Sequence, residues 1–311
     1  MLKKLCRMIP IIAISVCFFC GVCLHAFAEE NSGTLTDSAD SYIDAVEKAS
    51  GGDVIYNLYY DFDGNGTNEM FALVRKDPSK TPAEEQFDAM EGRLWYVNAD
   101  GAIEVMSQSR PYYKDPKVLE FDGNSVLPLN QVFATGTRTF LWGVIGGKPY
   151  ELNASGQING LSVNEYGEIV GIGEDYNGFR SKESNTYSGH TWNQYYFYYE
   201  HGNIREYGGE RITWEDFCRI PGIEAVKNKI EKEKITQGEE IDRIYYRSNG
   251  IVVVNFEKEI TDGRKYSNMQ LRITEDGIET GKTMSDSGFS DGTVKSALLE
   301  ELATYPESFP Y

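Results

Sequence analysis

Cysteine is almost missing from this chain once its first stretch is set aside. Of the five cysteines, Cys6, Cys17, Cys20 and Cys23 fall in residues 1–28, which leaves Cys218 alone. One thiol excludes an internal disulfide framework, so the fold must be held by its core, by bound metal, or by both. Cys218 stands in TWEDFCRIP, on a short amphipathic pattern, and reads as a buried thiol instead of a nucleophile. Histidine is scarce too, and His190 and His201 show no zinc spacing, so both read as surface or turn residues. No Gly-x-Ser-x-Gly elbow supports a hydrolase triad. No glycine loop can cradle phosphate, because GIGEDYNG (171–178) carries acids that would repel it. Beyond the N-terminal stretch, no run is apolar enough to cross a bilayer.

Positive charge is also in deficit. Thirty Lys and Arg face 48 Asp and Glu, a formal charge of −18. Residues 1–28 hold Lys3, Lys4 and Arg7 and no acid, so without them the charge is 27 − 48 = −21. Such a surface argues against nucleic acid and anionic lipid as partners and suits divalent cations or neutral ligands.

The chain opens with those three basic residues, then an apolar run over 9–24, then Ala26-Phe27-Ala28 before two acids. This pattern predicts a signal peptide over 1–28, cut at Ala28–Glu29, and a secreted, extracellular protein, free or attached at the cell surface. The alternative is retention of the apolar run as an anchor. Residues 29–52 read as an acidic linker followed by one short helix, DSYIDAVEKAS, closed by Gly51 and Gly52.

Residues 53–311 read as one mainly β domain, rich in Tyr (21) and Gly (31). In SNMQLRIT, Met269, Leu271 and Ile273 alternate with polar residues, and in NQYYFYYE, Tyr195, Phe197 and Tyr199 oppose Tyr196 and Tyr198. Turn glycines recur at Gly101, Gly156, Gly202 and Gly277, separated by 55, 46 and 75 residues, with a further turn at Gly250, 48 after Gly202; spacing near fifty is what blades show. The expected fold is β-propeller-like, with about five degenerate blades and short helical inserts. Two packed antiparallel sheets are the alternative. A helical insert is expected over 213–235, where Thr213 and Asp216 are spaced as a capping box, and further short helices over 81–92 and 291–306.

The most informative stretch is YYDFDGNGTNEMFALV, residues 59–74. Asp61, Asp63, Asn65 and Glu69 occupy positions one, three, five and nine of a loop, with Gly64 and Gly66 between them. Alternate residues of a tight turn can aim their oxygens at one centre, and Thr67 can add its backbone carbonyl. Hard oxygens of this kind suit Ca²⁺. An EF-hand requires a bidentate acid at position twelve, which here is Ala72, so that reading fails.

The pattern D-x-D-G-N-G-x-x-E before an apolar strand resembles the calcium loops of FG-GAP and VCBS-type repeats, over about residues 54–105. Such loops also occur singly in secreted bacterial proteins. The resemblance implies a structural Ca²⁺ with side-chain ligands Asp61, Asp63, Asn65 and Glu69 and a backbone ligand at Thr67. The nearest second copy, EFDGNS at 120–125, lacks the later acid.

Two further groups carry competing readings. Glu165, Glu168, Glu174 and Asp175 can be a solvated acidic rim or the acids of a carbohydrate-active hydrolase, and the rim is the default. Trp95, Trp142 and Trp192 lie in strand-like runs where core packing is the default, with a sugar-stacking platform as the alternative. The expected function is therefore non-catalytic binding of an extracellular protein or glycan, or a structural envelope role, on a calcium-stabilised β fold. A two-acid hydrolase is the rival. An exposed aromatic strip would favour glycan; a deep pocket with two carboxylates would favour hydrolysis.

Overall fold

The computed structural model describes residues 35–299 apart from 36, 76–87, 122, 134–135, 276 and 281–288. The expected signal peptide (1–28) and the linker up to residue 34 therefore lie outside the described residues. The described chain is mainly β, built from two antiparallel sheets.

The first sheet contains β1 (Asp53–Tyr60), β2 (Glu69–Arg75), β3 (Ala89–Asn98), β4 (Gly101–Tyr113), β5 (Leu119–Phe121), β6 (Asn124–Phe133), β7 (Gly136–Ile145) and β8 (Lys148–Glu151). Its order follows the chain, with β5 paired to β6 beside the main path. The sheet curls on itself. Four inter-strand steps separate β2 from β7, about 19 Å in a flat sheet, yet the Phe71 and Trp142 rings lie 6.5 Å apart. The inner face of the curl packs Phe71, Leu73, Leu94, Tyr96, Leu129 and Trp142. The outer face of β2 and β3, through Met70, Ala72, Val74, Trp95 and Val97, is covered by helix α1 (Ala39–Ser50) with Tyr42 and Val46. Ser38 caps that helix by accepting the Ser41 N–H, and Gly51, at φ 64, ends it.

The second sheet contains β9 (Asn159–Val163), β10 (Ile169–Ser181), β11 (Tyr187–Glu200), β12 (Asn203–Glu206), β13 (Gly209–Ile212), β14 (Glu240–Arg247), β15 (Ile251–Ile260), β16 (Gly263–Thr274), β17 (Gly277–Thr280) and β18 (Phe289–Asp291). Its main path runs β12-β11-β10-β16-β15-β14-β13. Helices α2 (Trp214–Cys218) and α3 (Glu224–Glu233) pack Phe217, Val226 and Ile230 on Val252, Val254 and Leu271. The Thr213–Asp216 capping box is formed at the start of α2. A fourth core joins the two sheets, with Val126, Leu141 and Ile158 against Ile169, Tyr195, Phe197 and Val253.

This topology corrects the propeller expectation. Trp95 and Trp142 belong to strands of one sheet, and Tyr196 and Leu271 to strands of the other, so the four do not mark separate blades. Long hairpins joined edge to edge produce the same turn spacing as blades, because spacing reports hairpin length and not which strands then pair. Residues 89–92, expected to be helical, are the first residues of β3 and pair with Arg110, Pro111, Tyr112 and Tyr113. Residues 81–87 lie outside the described residues. Of 291–306, the described part is irregular from Gly292 to Leu298 after β18, and the portion from 300 lies outside the described residues.

The two halves of the second sheet meet along a short seam, where Phe179, Arg180 and Ser181 pair with Lys265, Arg264 and Gly263. A Cβ on Gly263 would sit 2.0 Å from the Arg180 carbonyl oxygen, which is backbone and cannot swing away. Gly263→Ala is expected to cost about 2–4 kcal/mol by forcing the seam apart. Chemical denaturation measures this, and a loss below about 1 kcal/mol would show that the seam yields freely.

Candidate metal centre and neighbouring acids

The β1–β2 connection leaves Tyr60 and returns at Glu69, and these two residues form the last pair of the ladder. Between them Gly64 (φ 70) and Gly66 (φ 88) take the left-handed backbone that the tight loop requires. Asp61 accepts the N–H of Asn65 (3.0 Å) on one oxygen and that of Gly66 (2.9 Å) on the other. Asp63 accepts a longer bond from Asn65 N–H (3.3 Å), and Asn65 Oδ1 accepts Thr67 N–H (2.7 Å). The loop thus wraps its backbone around its own carboxylates.

Glu69 differs from the others because it is 2 % exposed. Its Oε2 accepts the Phe62 N–H at 3.0 Å, while the Phe62 ring packs edge-on against Phe71 at 5.0 Å. One oxygen each from Asp61, Asp63 and Glu69 falls within 4.8 Å of the others. Burial pushes the Glu69 carboxyl up to about 7; the Phe62 N–H opposes the shift, and the charges of Asp63 and Asp61 add to it. Among the described residues, no positive side chain is a cause of that shift.

The loop is also tied to a distant hairpin. Asp63 Oδ2 accepts the N–H of Gly147 at 2.9 Å, in the β7–β8 turn. The Gly147 carbonyl in turn accepts from Tyr96 OH (3.0 Å) and Asn98 Nδ2 (2.9 Å). Beside this junction lies an open groove of about 780 Å³, lined by Phe62, Asp63, Asn65, Tyr150, Tyr199 and His201 among others. Tyr150 and Tyr199, both in its lining, share a hydroxyl hydrogen bond of 2.9 Å, and burial raises the Tyr150 pKa.

The four acids grouped by sequence scatter to separate partners. Glu165 is exposed. Glu168 is 6 % exposed and is held by Arg272, Asn249 and Asn164, which overturns the solvated-rim reading at that residue. Glu174 pairs with His190, whereas Asp175 pairs with Lys295 at 2.9 Å. These are ion-pair and core roles, and they do not place two acids face to face across one pocket. Burial raises the Cys218 thiol pKa, which favours the neutral thiol. Of the three tryptophans read as core, Trp95 and Trp142 are buried, but Trp192 is 44 % exposed. Its phase in β11 explains why: Thr191, Asn193, Tyr195 and Phe197 fill the inward face.

Set against family models, curated proteins and solved structures, the chain matches none of them.

Proposed function

We propose that this is an exported, non-catalytic binding protein whose β1–β2 loop holds a structural Ca²⁺. The observation that carries the metal is the convergence of three carboxylate oxygens within 4.8 Å, one of them from a buried glutamate whose pKa is raised by burial and by its two acidic neighbours. Oxygens bound to Ca²⁺ at about 2.3–2.6 Å stand at most about 5 Å apart, which is the spread found here. Asp61, Asp63 and Glu69 would supply charge, Asn65 its amide oxygen and Thr67 its carbonyl. The likeness of the motif to FG-GAP and VCBS-type loops supports the same ion. The ion would screen the three charges and strengthen the tie between the loop and the β7–β8 turn through Asp63. The binding role, toward an extracellular protein or glycan, is supported by the acidic surface, the open groove beside the loop and the aromatic side chains left exposed on β10 and β11.

Melting in calcium and in chelator tests the metal. At ten times the dissociation constant, Ca²⁺ is expected to add about RT ln 11, roughly 1.4 kcal/mol, or a few degrees for a chain of this length. Asp63→Ala should abolish that increment. In chelator the same variant should melt close to the parent, because relief of repulsion offsets the lost Gly147 bond. Identical melting of the parent in both conditions would reduce the loop to a plain turn.

A further inference from the structure

The stretch DGTVKSALL (291–299) crosses the second sheet without regular structure between Gly292 and Leu298. From Gly292 to Lys295 its backbone is bonded at nearly every N–H and carbonyl, mostly to side chains of the sheet. We propose that this face of the sheet is a peptide-binding groove, that residues 291–299 are its resident ligand, and that the same segment of a second copy of the chain can take their place. The inference goes beyond the calcium and extracellular-ligand readings and depends on neither.

The bonds follow the segment residue by residue. Asn268 Nδ2 donates to the Gly292 carbonyl (3.0 Å), and the Thr293 carbonyl accepts from Asn177 Nδ2 (2.6 Å) and Asn193 Nδ2 (3.3 Å). Asn255 holds Val294 at both ends: its Oδ1 accepts the N–H and its Nδ2 donates to the carbonyl, each at 2.9 Å. The Lys295 N–H donates to Tyr195 OH (3.1 Å), and the Lys295 carbonyl accepts from Arg247 Nη2 (2.9 Å). Glu206 then accepts the Leu298 and Leu299 N–H groups. Backbone partners make about two-thirds of the hydrogen bonds in folded proteins. Here one backbone bond, from Gly292 N–H to the Tyr266 carbonyl, stands beside this row of side chains.

The amides are buried and aimed. Asn177, Asn193, Asn255 and Asn268 are at most 8 % exposed. Asn268 Nδ2 also donates to Asn193 Oδ1 (3.0 Å), and Thr191 Oγ1 donates to Asn177 Oδ1 (2.5 Å), which turns the amide donors toward the segment. Buried amides on the inward face of a sheet require partners, and the segment supplies them. Side chains add selectivity. Val294 and Leu298 are buried in the core beside Tyr195, Ile251 and Val253, and Lys295 pairs with Asp175 at 2.9 Å. Gly292 sits at φ 83, and a Cβ there would press on Asn177 Oδ1 and Thr191. The ligand pattern is therefore Gly-x-Val-Lys-x-x-Leu. Main-chain bonds for affinity and a few side-chain pockets for specificity are how proteins bind peptides.

Such a groove does not distinguish the segment of its own chain from that of another copy. The resident segment is favoured by its effective concentration, about millimolar for a short connection. Exchange between copies keeps every contact, so it costs little beyond that advantage.

A fluorescein-labelled DGTVKSALL peptide, titrated into the exported form of the full chain and followed by anisotropy, tests the groove. Gly292→Ala weakens the resident segment and leaves the side chains of the groove in place. That variant is expected to bind the peptide with a Kd on the order of 10 μM. The parent should bind about tenfold more weakly or worse, because its own segment competes. Adding Asn255→Ala to Gly292→Ala should cost about another tenfold, and a peptide carrying Val294→Asp should not bind. No binding to Gly292→Ala, or equal binding to it and the parent, would overturn the proposal. Amide exchange in the parent is an independent reading. The Val294 and Lys295 N–H groups should exchange by local opening, about tenfold or more faster than the core of β15. Exchange at the rate of β15 would make the segment inseparable from the sheet and overturn the groove. A mixture of Gly292→Ala with Asn255→Ala pairs an intact groove with an intact segment, so sedimentation should show a dimer that neither variant forms alone. A monomeric mixture would overturn the exchange.

Discussion

In chelator, the protein is expected to lose stability as pH rises from about 4.5 to about 7, and calcium is expected to restore it. The cause is Glu69. Its carboxyl titrates near 7 in the folded chain and near 4.5 when unfolded, so between those values the folded state binds more protons. Stability then falls with rising pH, is fully present below the unfolded value and is lost through the folded one. A shift of this size corresponds to about 3 kcal/mol at neutral pH. Ca²⁺ acts in the opposite sense because it binds the carboxylate, so the apparent affinity should improve about tenfold per unit as pH rises toward 7 and then level off. Binding near pH 7 should release a fraction of a proton. The test is melting across a pH series, with calcium and with chelator, for the parent and Glu69→Gln. Glu206 and Glu151 are also raised by burial, so the parent alone is not diagnostic. The difference between parent and Glu69→Gln isolates the one group. Parallel pH profiles for the two proteins would show that Glu69 is not the titrating residue, and a calcium increment equal at pH 5 and pH 8 would mean that it is not a ligand.

What could be read in advance was local. Asp61 and Asp63 alternate in one glycine loop, and Glu69 opens the strand that follows it, so the three carboxylates are brought together within nine residues. Thr213 and Asp216 signal a helix start because a capping box is made within four residues. What could not be read was distant in sequence. The Gly147 N–H that holds Asp63 comes from 84 residues away, and the Arg272 that buries Glu168 from 104 residues away. At residues 89–92 a helix-favouring composition gave way to pairing with β4, where Ala89 and Met90 become buried. Trp192 was within reach of sequence reasoning. The alternation that sends Tyr195 and Phe197 inward, extended back along the same strand, sends Thr191 and Asn193 inward and Trp192 out.

Arg247→Ala is expected to be the most damaging single substitution, at about 3–5 kcal/mol. Arg247 ends β14 with no exposed surface at all. Its Nη1 donates to Glu206 Oε1 and to the Tyr207 carbonyl, both at 2.9 Å, and Nη2 donates to the Lys295 carbonyl at 2.9 Å. The other oxygen of Glu206 accepts the N–H groups of Leu298 (2.5 Å) and Leu299 (3.0 Å). One ion pair thus fastens the stretch after β18 across the second sheet, beside the core that joins both sheets through Val294 and Leu298. Removing the guanidinium leaves a buried carboxylate without its counter-charge and frees a segment that carries core residues. The pair itself need not be strongly stabilising for its rupture to be costly, since the loss is mostly the penalty of the stranded charge. That distinction has a measurable sign. Burial already raises the Glu206 pKa, and the Arg247 charge is the largest influence holding it down. Without Arg247 the carboxyl should take up a proton at higher pH, so the defect should shrink as the pH falls toward 5. Adding Glu206→Gln to Arg247→Ala should recover part of the loss at pH 7, because it removes the stranded charge and keeps a carbonyl acceptor for the Leu298 and Leu299 N–H groups. Denaturant titrations of the two variants at pH 5 and pH 7 decide it. A loss below about 1 kcal/mol, or a defect that grows in acid, would mean that the stretch after β18 is held by its apolar side chains and that the ion pair contributes little.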